Sequence, residues 1–509
     1  MKKSILSGII LFGSSLTLAQ QKITYESYDL PNGLHVILHE EHATPIVAVS
    51  VLYHVGSKNE NPNRTGFAHF FEHLLFEGSA NIGRGEYSEL VEKNGGTLNA
   101  NTSQDRTYYY EVLPSNQLEL GLWLESERML HAKVDLKGIE TQRSVVKEEK
   151  RQRVDNQPYG SFFTEMFKRV FSAHPYNWAP IGSMEHLDAA QEEDYVNFYK
   201  SFYVPSNATL SIAGDINIEQ TKKWIAQYFG SIPKGQAINL YRDFLSMNDE
   251  AFLARYSVEK SEFDAKNFMG SNAPAAKKLI NYMSSQGSKI ERPNKDFTPI
   301  NGIIKDTIYD NIQLPALFMG YKMPAQTHPD TYALEFLNEV LSSGSSSRIN
   351  KEIVEKRELA QYAFSFNYGK EIVEKRELAQ YAFSFNYGLE DAGIGIMAAI
   401  APQEVSLDTL LAAFDAQIAL IKTELISEEE FQKVRNKFEN DIASSNASIA
   451  GIAENLADNH VYFGDADRVN SLLSNYLKVS REDIMRVSNT YLTQQARVIL
   501  YYLPNPTEK

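Results

Sequence analysis

The sequence predicts an α+β fold built from two related domains, each a mixed sheet with helices packed on it. Three observations carry this prediction. Short apolar strands open the chain and reappear after residue 301, amphipathic helices follow them in both halves, and each half closes on a further strand. The 509 residues allow roughly two to four domains.

Residues 1–19 read as an export signal. Lys2 and Lys3 precede an apolar run from Ile5 to Leu18, and Thr17-Leu18-Ala19 supplies a small-residue cleavage site. The run is short for a membrane span, and no later stretch is long and apolar enough to make one. The chain has no cysteine, which excludes disulfides and acylation on cysteine. An exported chain of this kind relies on its core, and a 43% hydrophobic content supplies one. The expected location is the periplasm, with secretion as the alternative. A net charge of −15 argues against a nucleic-acid partner, because phosphate contacts need clustered Lys and Arg.

The first domain is expected over 22–233. Pro31-Asn32-Gly33 is a hairpin turn between strands Ile23–Leu30 and Leu34–His39, and Ile46–Val55 is a continuous apolar strand. A helix begins near Phe67. A second, Ser88–Lys93, ends at Gly95-Gly96. Strands at Thr97–Ala100 and Thr107–Val112 follow, then helices at Leu118–His131 and Gly138–Val154, and a strand at Asn207–Ala213. Residues 234–300 are polar and mixed, with one helix near Ala275–Met283, and read as a linker or insert. The second domain, 301–509, opens with Ile312–Tyr321, continues with helices at Asp330–Ser342 and Ser427–Ser444, and closes with Val498–Tyr502. Ser427 and Glu430 form a capping box for the later helix.

Residues 351–369 (KEIVEKRELAQYAFSFNYG) recur without change at 370–388. A solenoid needs three or more diverged copies. One copy is therefore expected to occupy the fold and the other to bulge out.

Chemistry concentrates at His69-Phe70-Phe71-Glu72-His73. On a helix His69 and His73 lie about 40° apart, and Glu72 about 60° to the other side of His69. Both imidazoles can reach one metal ion while the carboxylate faces it. The pattern is that of two zinc ligands plus a general base for water. Phe67, Phe70, Phe71, Leu74, Leu75 and Phe76 make the helix apolar on most sides, so its polar residues should be buried and need partners. A catalytic zinc site takes three protein ligands. The 138–154 helix offers Glu148 and Glu149. Glu149 shares a face with Gln142, Val145 and Val146, the expected inward side. Glu148 lies nearer Thr141, Ser144, Arg151 and Gln152.

H-x-x-E-H with a glutamate at the spacing of Glu149 resembles the pitrilysin and insulin-degrading-enzyme family of inverzincin zinc peptidases. The short-chain branch, which includes mitochondrial processing peptidase and bacterial two-domain homologues, is the most similar. Gly95–Ala100 with Thr102, His174-Pro175-Tyr176, Tyr203–Ala208 and Ser342–Arg348 strengthen the resemblance. It implies a zinc-dependent endopeptidase acting on peptides or short unfolded segments. His69, His73 and Glu149 would hold Zn2+, and Glu72 would be the general base. Substrate would add as a strand along Asn99, Ala100 and Thr102, a mode with little sequence preference. It also implies two domains that form half of a clamshell. The alternative is a non-catalytic peptide-binding or assembly subunit of a heteromeric peptidase complex, although such members usually lose the zinc residues.

The chain departs from the family pattern in two places. A second glutamate expected seven residues before the third ligand is Gln142 here. The second-domain Arg and Tyr that help stabilise the oxyanion align with Val354 and Gln361. Arg357 and Tyr362, or their copies Arg376 and Tyr381, stand only five apart. The resemblance then implies a partner, either a homologous subunit supplying Arg and Tyr or a homodimer. Among the other histidines, His35, His39, His42, His131, His186, His328 and His460 read as surface or core residues. His54 and His174 stand in family-like neighbourhoods.

Overall fold

The computed structural model describes residues 22–506, apart from 267, 270–272, 286–289, 291, 293–297, 344–345, 350, 352–361, 368–380, 403 and 447. The expected export signal lies outside the described residues. Two six-stranded mixed sheets organise the chain.

The first sheet contains β1 (Glu26–Asp29), β2 (His35–Glu40), β3 (Ile46–Tyr53), β4 (Thr97–Thr102), β5 (Thr107–Pro114) and β6 (Ala208–Gly214), in the order β1-β2-β6-β3-β5-β4. β3 is buried along almost its whole length, as its unbroken apolar run requires. The β1–β2 turn uses Gly33 at φ 89°, and the buried Asn32 amide donates to the Phe229 and Ile232 carbonyls. The helices of this half are α1 (Phe67–Leu74), α2 (Glu86–Lys93), α3 (Leu118–His131) and α4 (Leu136–Lys150). α4 starts two residues before its expected beginning because Asp135 caps it, its carboxylate accepting from Gly138 N at 2.7 Å. It continues as a π-helical turn over Arg151–Asp155.

The second sheet contains β7 (Ile303–Asp310), β8 (Ala316–Met323), β9 (Tyr362–Asn367), β10 (Tyr381–Tyr387), β11 (Gly393–Ile400) and β12 (Arg497–Pro504), in the order β7-β12-β8-β11-β10-β9. Five strands of this sheet match five of the first in order and direction, and the sixth strands, β1 and β9, lie at opposite edges. β2 runs parallel to β6, and β6, β3, β5 and β4 then alternate. β7 runs parallel to β12, and β12, β8, β11 and β10 alternate in the same way. The recurrence expected from sequence is thus a recurrence of topology.

The repeat behaves differently from expectation. Its second copy supplies β10, the counterpart of β4. Its first copy supplies β9, which lies parallel to β10 with each residue opposite its own duplicate, from Tyr362↔Tyr381 to Asn367↔Asn386. The first copy joins the sheet instead of bulging out, because β10 offers an unpaired edge to a segment of equal strand propensity.

Each sheet is covered partly by the other half of the chain. Helix Ile449–Phe463 lies on the first sheet, where Ile452, Ala453 and Leu456 pack against Ile37, Ala48 and Ala213. α5 (Phe162–Val170) lies on the second, where Met166, Phe167 and Val170 pack against Phe318, Ile394, Ile396 and Leu500. Glycine at 320 lets Met166 pack directly on the strand, since a Cβ would stand 2.3 Å from Met166 Sδ and push that side chain aside.

The 234–300 segment is more ordered than its composition suggests. Helices Ala237–Ser246, Asp249–Tyr256 and Pro274–Ser285 enclose Leu240, Phe252, Phe268 and Ala276. Arg242 docks this packet on the first half, donating to Met129 O at 2.7 Å and to Tyr203 O, with its guanidinium over the Tyr199 ring.

Candidate active site

α1 is only eight residues long, and its neighbours fix its position. Gly66 at its N-terminus has φ 99° and no side chain to cap it. Glu60 does so from a distance, its two carboxylate oxygens accepting from Gly66 N at 2.9 Å and Ala68 N at 2.8 Å. Trp178 Nε1 donates to the same carboxylate at 3.1 Å. Burial pushes the Glu60 carboxyl up to about 8, against the pull of these donors. Phe67, Phe70 and Phe71 face the rings of Tyr195, Phe198, Tyr199 and Tyr203, and the Tyr109 hydroxyl donates to Phe71 O at 2.8 Å. The apolar side is locked, so His69, Glu72 and His73 face α4 and β4.

α4 brings Glu149 to the same point. Its Oε2 lies 3.4 Å from His69 Nε2 and 3.1 Å from His73 Nε2, and all three donor atoms lie within 4.8 Å of one another. Glu148 points to solvent and binds Arg151 and Gln152, as its face predicts. Val145 does not share the inward face: it is 44% exposed, whereas Val146 is fully buried. The inward arc of α4 is narrower than the apolar residues suggested. Gln142 donates to Glu77, whose other oxygen meets Arg84 Nε at 2.6 Å.

The donor set fits zinc. Bonds of about 2.0–2.2 Å at the tetrahedral angle place ligand atoms roughly 3.3–3.6 Å apart, close to the two separations from Glu149 Oε2 to the imidazoles. Glu149 Oε2 is buried and makes no hydrogen bond. Burial would raise the Glu149 carboxyl, but the His73 and His69 rings and Arg153 outweigh it and hold it down, so it remains an anion. Burial and the neighbouring His73 lower His69 to about 4, leaving a neutral imidazole able to ligate. Arg153, on the π-helical turn, reaches Glu149 Oε1 at 2.8 Å and leaves Oε2 for the metal.

Glu72 lies beside this cluster. Burial raises its carboxyl above the ordinary range, and a hydrogen bond from Thr102 Oγ1 at 2.6 Å opposes the shift. Among the described residues β4 is the outer strand of its sheet and pairs with β5 alone. Asn99 is exposed and Ala100 half-buried, and Ala100 N donates to Asn99 Oδ1 at 2.9 Å. Thr102 on this strand is tied to Glu72 by its hydroxyl. Nothing local in the sequence announces that contact, nor the Glu60 cap or the Arg153 clamp. Val354, Arg357, Gln361 and Arg376 lie outside the described residues, and Tyr362 and Tyr381 are described only as strand backbone.

Comparison with known proteins gives the same site a lineage. A model described as "Insulinase (Peptidase family M16)" matches residues 35–178, and one described as "Peptidase M16 inactive domain" matches residues 190–438. The chain belongs to peptidase family M16. Among M16 relatives it is 28% identical over 497 residues to the zinc protease PqqE of Helicobacter pylori, covering 97% of this chain and 96% of that one. It superposes on the crystal structure of a protease from Helicobacter pylori with a TM-score of 0.74 at 26% identity, covering 95% and 100% of the two chains. The periplasmic protease PqqL from Escherichia coli shares the fold, with a TM-score of 0.65 at 16% identity over 94% of this chain and 48% of that one. This M16 chain is a zinc protease homologue with a His-His-Glu candidate metal site. Among the described residues no helix is long and apolar enough to cross a membrane.

Proposed function

We propose that the chain is a zinc-dependent endopeptidase that hydrolyses peptides or short unfolded segments. The observation that carries this reading is the convergence of His69, His73 and Glu149 beside Glu72, which lies on the same short helix as both histidines. When bound, zinc would supply Lewis-acid polarisation and a lowered pKa for water. The side chains do the rest. His69, His73 and Glu149 would hold the zinc. Glu72, steadied by Thr102, takes the proton of the attacking water and returns it to the leaving amine. Ala100 N–H passes from Asn99 Oδ1 to a carbonyl of the incoming peptide, which aligns as an added strand on β4.

The zinc domain would span 22–233 and a homologous domain without the metal motif 301–509, with 234–300 as an insert between them. The basic and apolar N-terminus supports export to the periplasm.

The test is cleavage of a quenched peptide. Cleavage is expected to vanish with chelator and to return with added Zn2+. Peptide binding without cleavage at any zinc level would replace this reading with that of a binding subunit. A partner completes the reading, because the family's Arg and Tyr do not align with like residues here. The active species is expected to have the mass of a dimer or a heteromer, and full activity in a lone monomer would sink that part.

A further inference from the structure

The tip of the β4–β5 hairpin, residues 103–106, is a polar meeting point of the two halves. On one side it rests on the backbone of 57–58, with Ser57 N donating to Ser103 O at 3.2 Å and Lys58 N to Gln104 O at 3.0 Å. Glycine is obligatory at 56, where a Cβ would stand 2.4 Å from the Gln104 carbonyl. On the other side every tip residue from 104 to 106 is held by the second half. Tyr387 OH donates to Gln104 Oε1 at 2.9 Å. Glu390 N donates to Asp105 Oδ2 at 2.9 Å. Arg106 binds both Glu454 and Asp458 on helix Ile449–Phe463.

Asp105 is the hub of this joint. Its Oδ1 accepts from Tyr176 OH at 2.6 Å and meets Lys58 Nζ at 2.8 Å. Lys58 also reaches Glu390 at 2.6 Å and Asp391 at 3.1 Å. His54 Nε2 lies 2.7 Å from Glu390, and His174 Nε2 lies 3.4 Å from Asp391. Asp105 and Lys58 are 2% exposed. Charges so deeply buried are worth little as net stability, because desolvation offsets most of their attraction. They do impose a single geometry.

Thr102 stands immediately before this tip and donates to Glu72. We propose that the second half of the chain serves as an alignment clamp for the catalytic base: through Asp105 and Arg106 it fixes the hairpin tip, and through the adjoining Thr102 it fixes the Glu72 carboxylate. Asp105 is thereby a positioning residue. The proposal rests on Glu72 as the base, and it gives the half without the zinc motif a task in the chemistry of its neighbour. The clamp lies beyond Asn99 and Ala100, so its loss falls on turnover more than on substrate binding.

The test is Asp105→Asn in the zinc-loaded full chain, with Tyr387→Phe as a milder variant at the rim should the first fail to fold. Asp105→Asn is expected to lower kcat about tenfold, because misplacing a reacting group by an ångström costs up to about a hundredfold. KM should move by less than about threefold, and the chelator concentration that strips the metal should stay unchanged. Tyr387→Phe is expected to lower kcat about threefold, the worth of one neutral hydrogen bond. Parental kcat in both variants, or a rise in KM alone, would overturn the clamp. Amide exchange over residues 97–102 reads the same proposal without enzyme activity. It is expected to quicken in either variant, and unchanged exchange would refute the clamp even in a chain that cuts no peptide.

Discussion

Glu72→Gln is expected to yield a folded protein that binds zinc normally and cleaves peptides roughly a hundred to ten thousand times more slowly, the range lost with a positioned general base. Glutamine keeps the volume of the side chain and can still accept the Thr102 hydroxyl, so α1 should not move. It cannot take a proton from water. No neighbour is placed to substitute. Glu149 is committed to the metal cluster and to Arg153, Glu77 is held by Arg84 and Gln142, and Gln142 itself is not a base. Steady-state cleavage of a quenched peptide beside a chelator competition separates the two effects. Full activity in Glu72→Gln would end the mechanism, whereas weakened zinc binding would move Glu72 among the groups that hold the site together.

Arg128→Ala is expected to destabilise the first half by about 3–5 kcal/mol, the usual consequence of stripping a buried charge of its partner. Arg128 is 2% exposed and pairs with Glu125 at 3.1 Å. Its guanidinium lies 4.2–4.5 Å from the ring centres of Phe76, Tyr87 and Tyr109. The Tyr87 hydroxyl donates to Glu125 at 3.0 Å. Glu111 is buried nearby, and burial together with the Glu125 carboxylate drives its carboxyl well above the normal range. Removing Arg128 leaves two acidic groups without their cation and a void among three rings. Tyr109 also holds the Phe71 carbonyl, so the damage reaches α1. A chain of this size need not unfold in one step. The measurement is therefore the transition reported by the first half in denaturant, and an unchanged midpoint would refute the account.

The parts legible in the sequence are those written in local spacing. His69, Glu72 and His73 are read from one turn of helix. Glu149 is separated from Glu148 because adjacent residues on a helix point about 100° apart, one to the cluster and one to solvent. β3 announces itself as an apolar run, and β6 as a short strand closed by Gly214-Asp215. What escaped is contact between distant segments. Thr102 reads as part of a substrate edge, and only the fold brings it to Glu72, thirty residues away. The start of α4 was misplaced for a local reason, the Asp135 cap. The 234–300 packet looked like a linker because its aromatic residues are dispersed among polar ones, and they form a core only when three helices meet. The repeat was expected to leave one copy unused, yet a sheet edge has no means of refusing a second identical strand.

The crossed helices set the order of events at birth. When the first half leaves the ribosome, the face of its sheet formed by Ile37, Ala48 and Ala213 has no cover, because the covering helix is still to be translated. The second sheet, for its part, waits for β12 at the very end of the chain. The first sheet therefore gains the cover of this face, and the second sheet its β12 strand, only after the residues of the second half have been made.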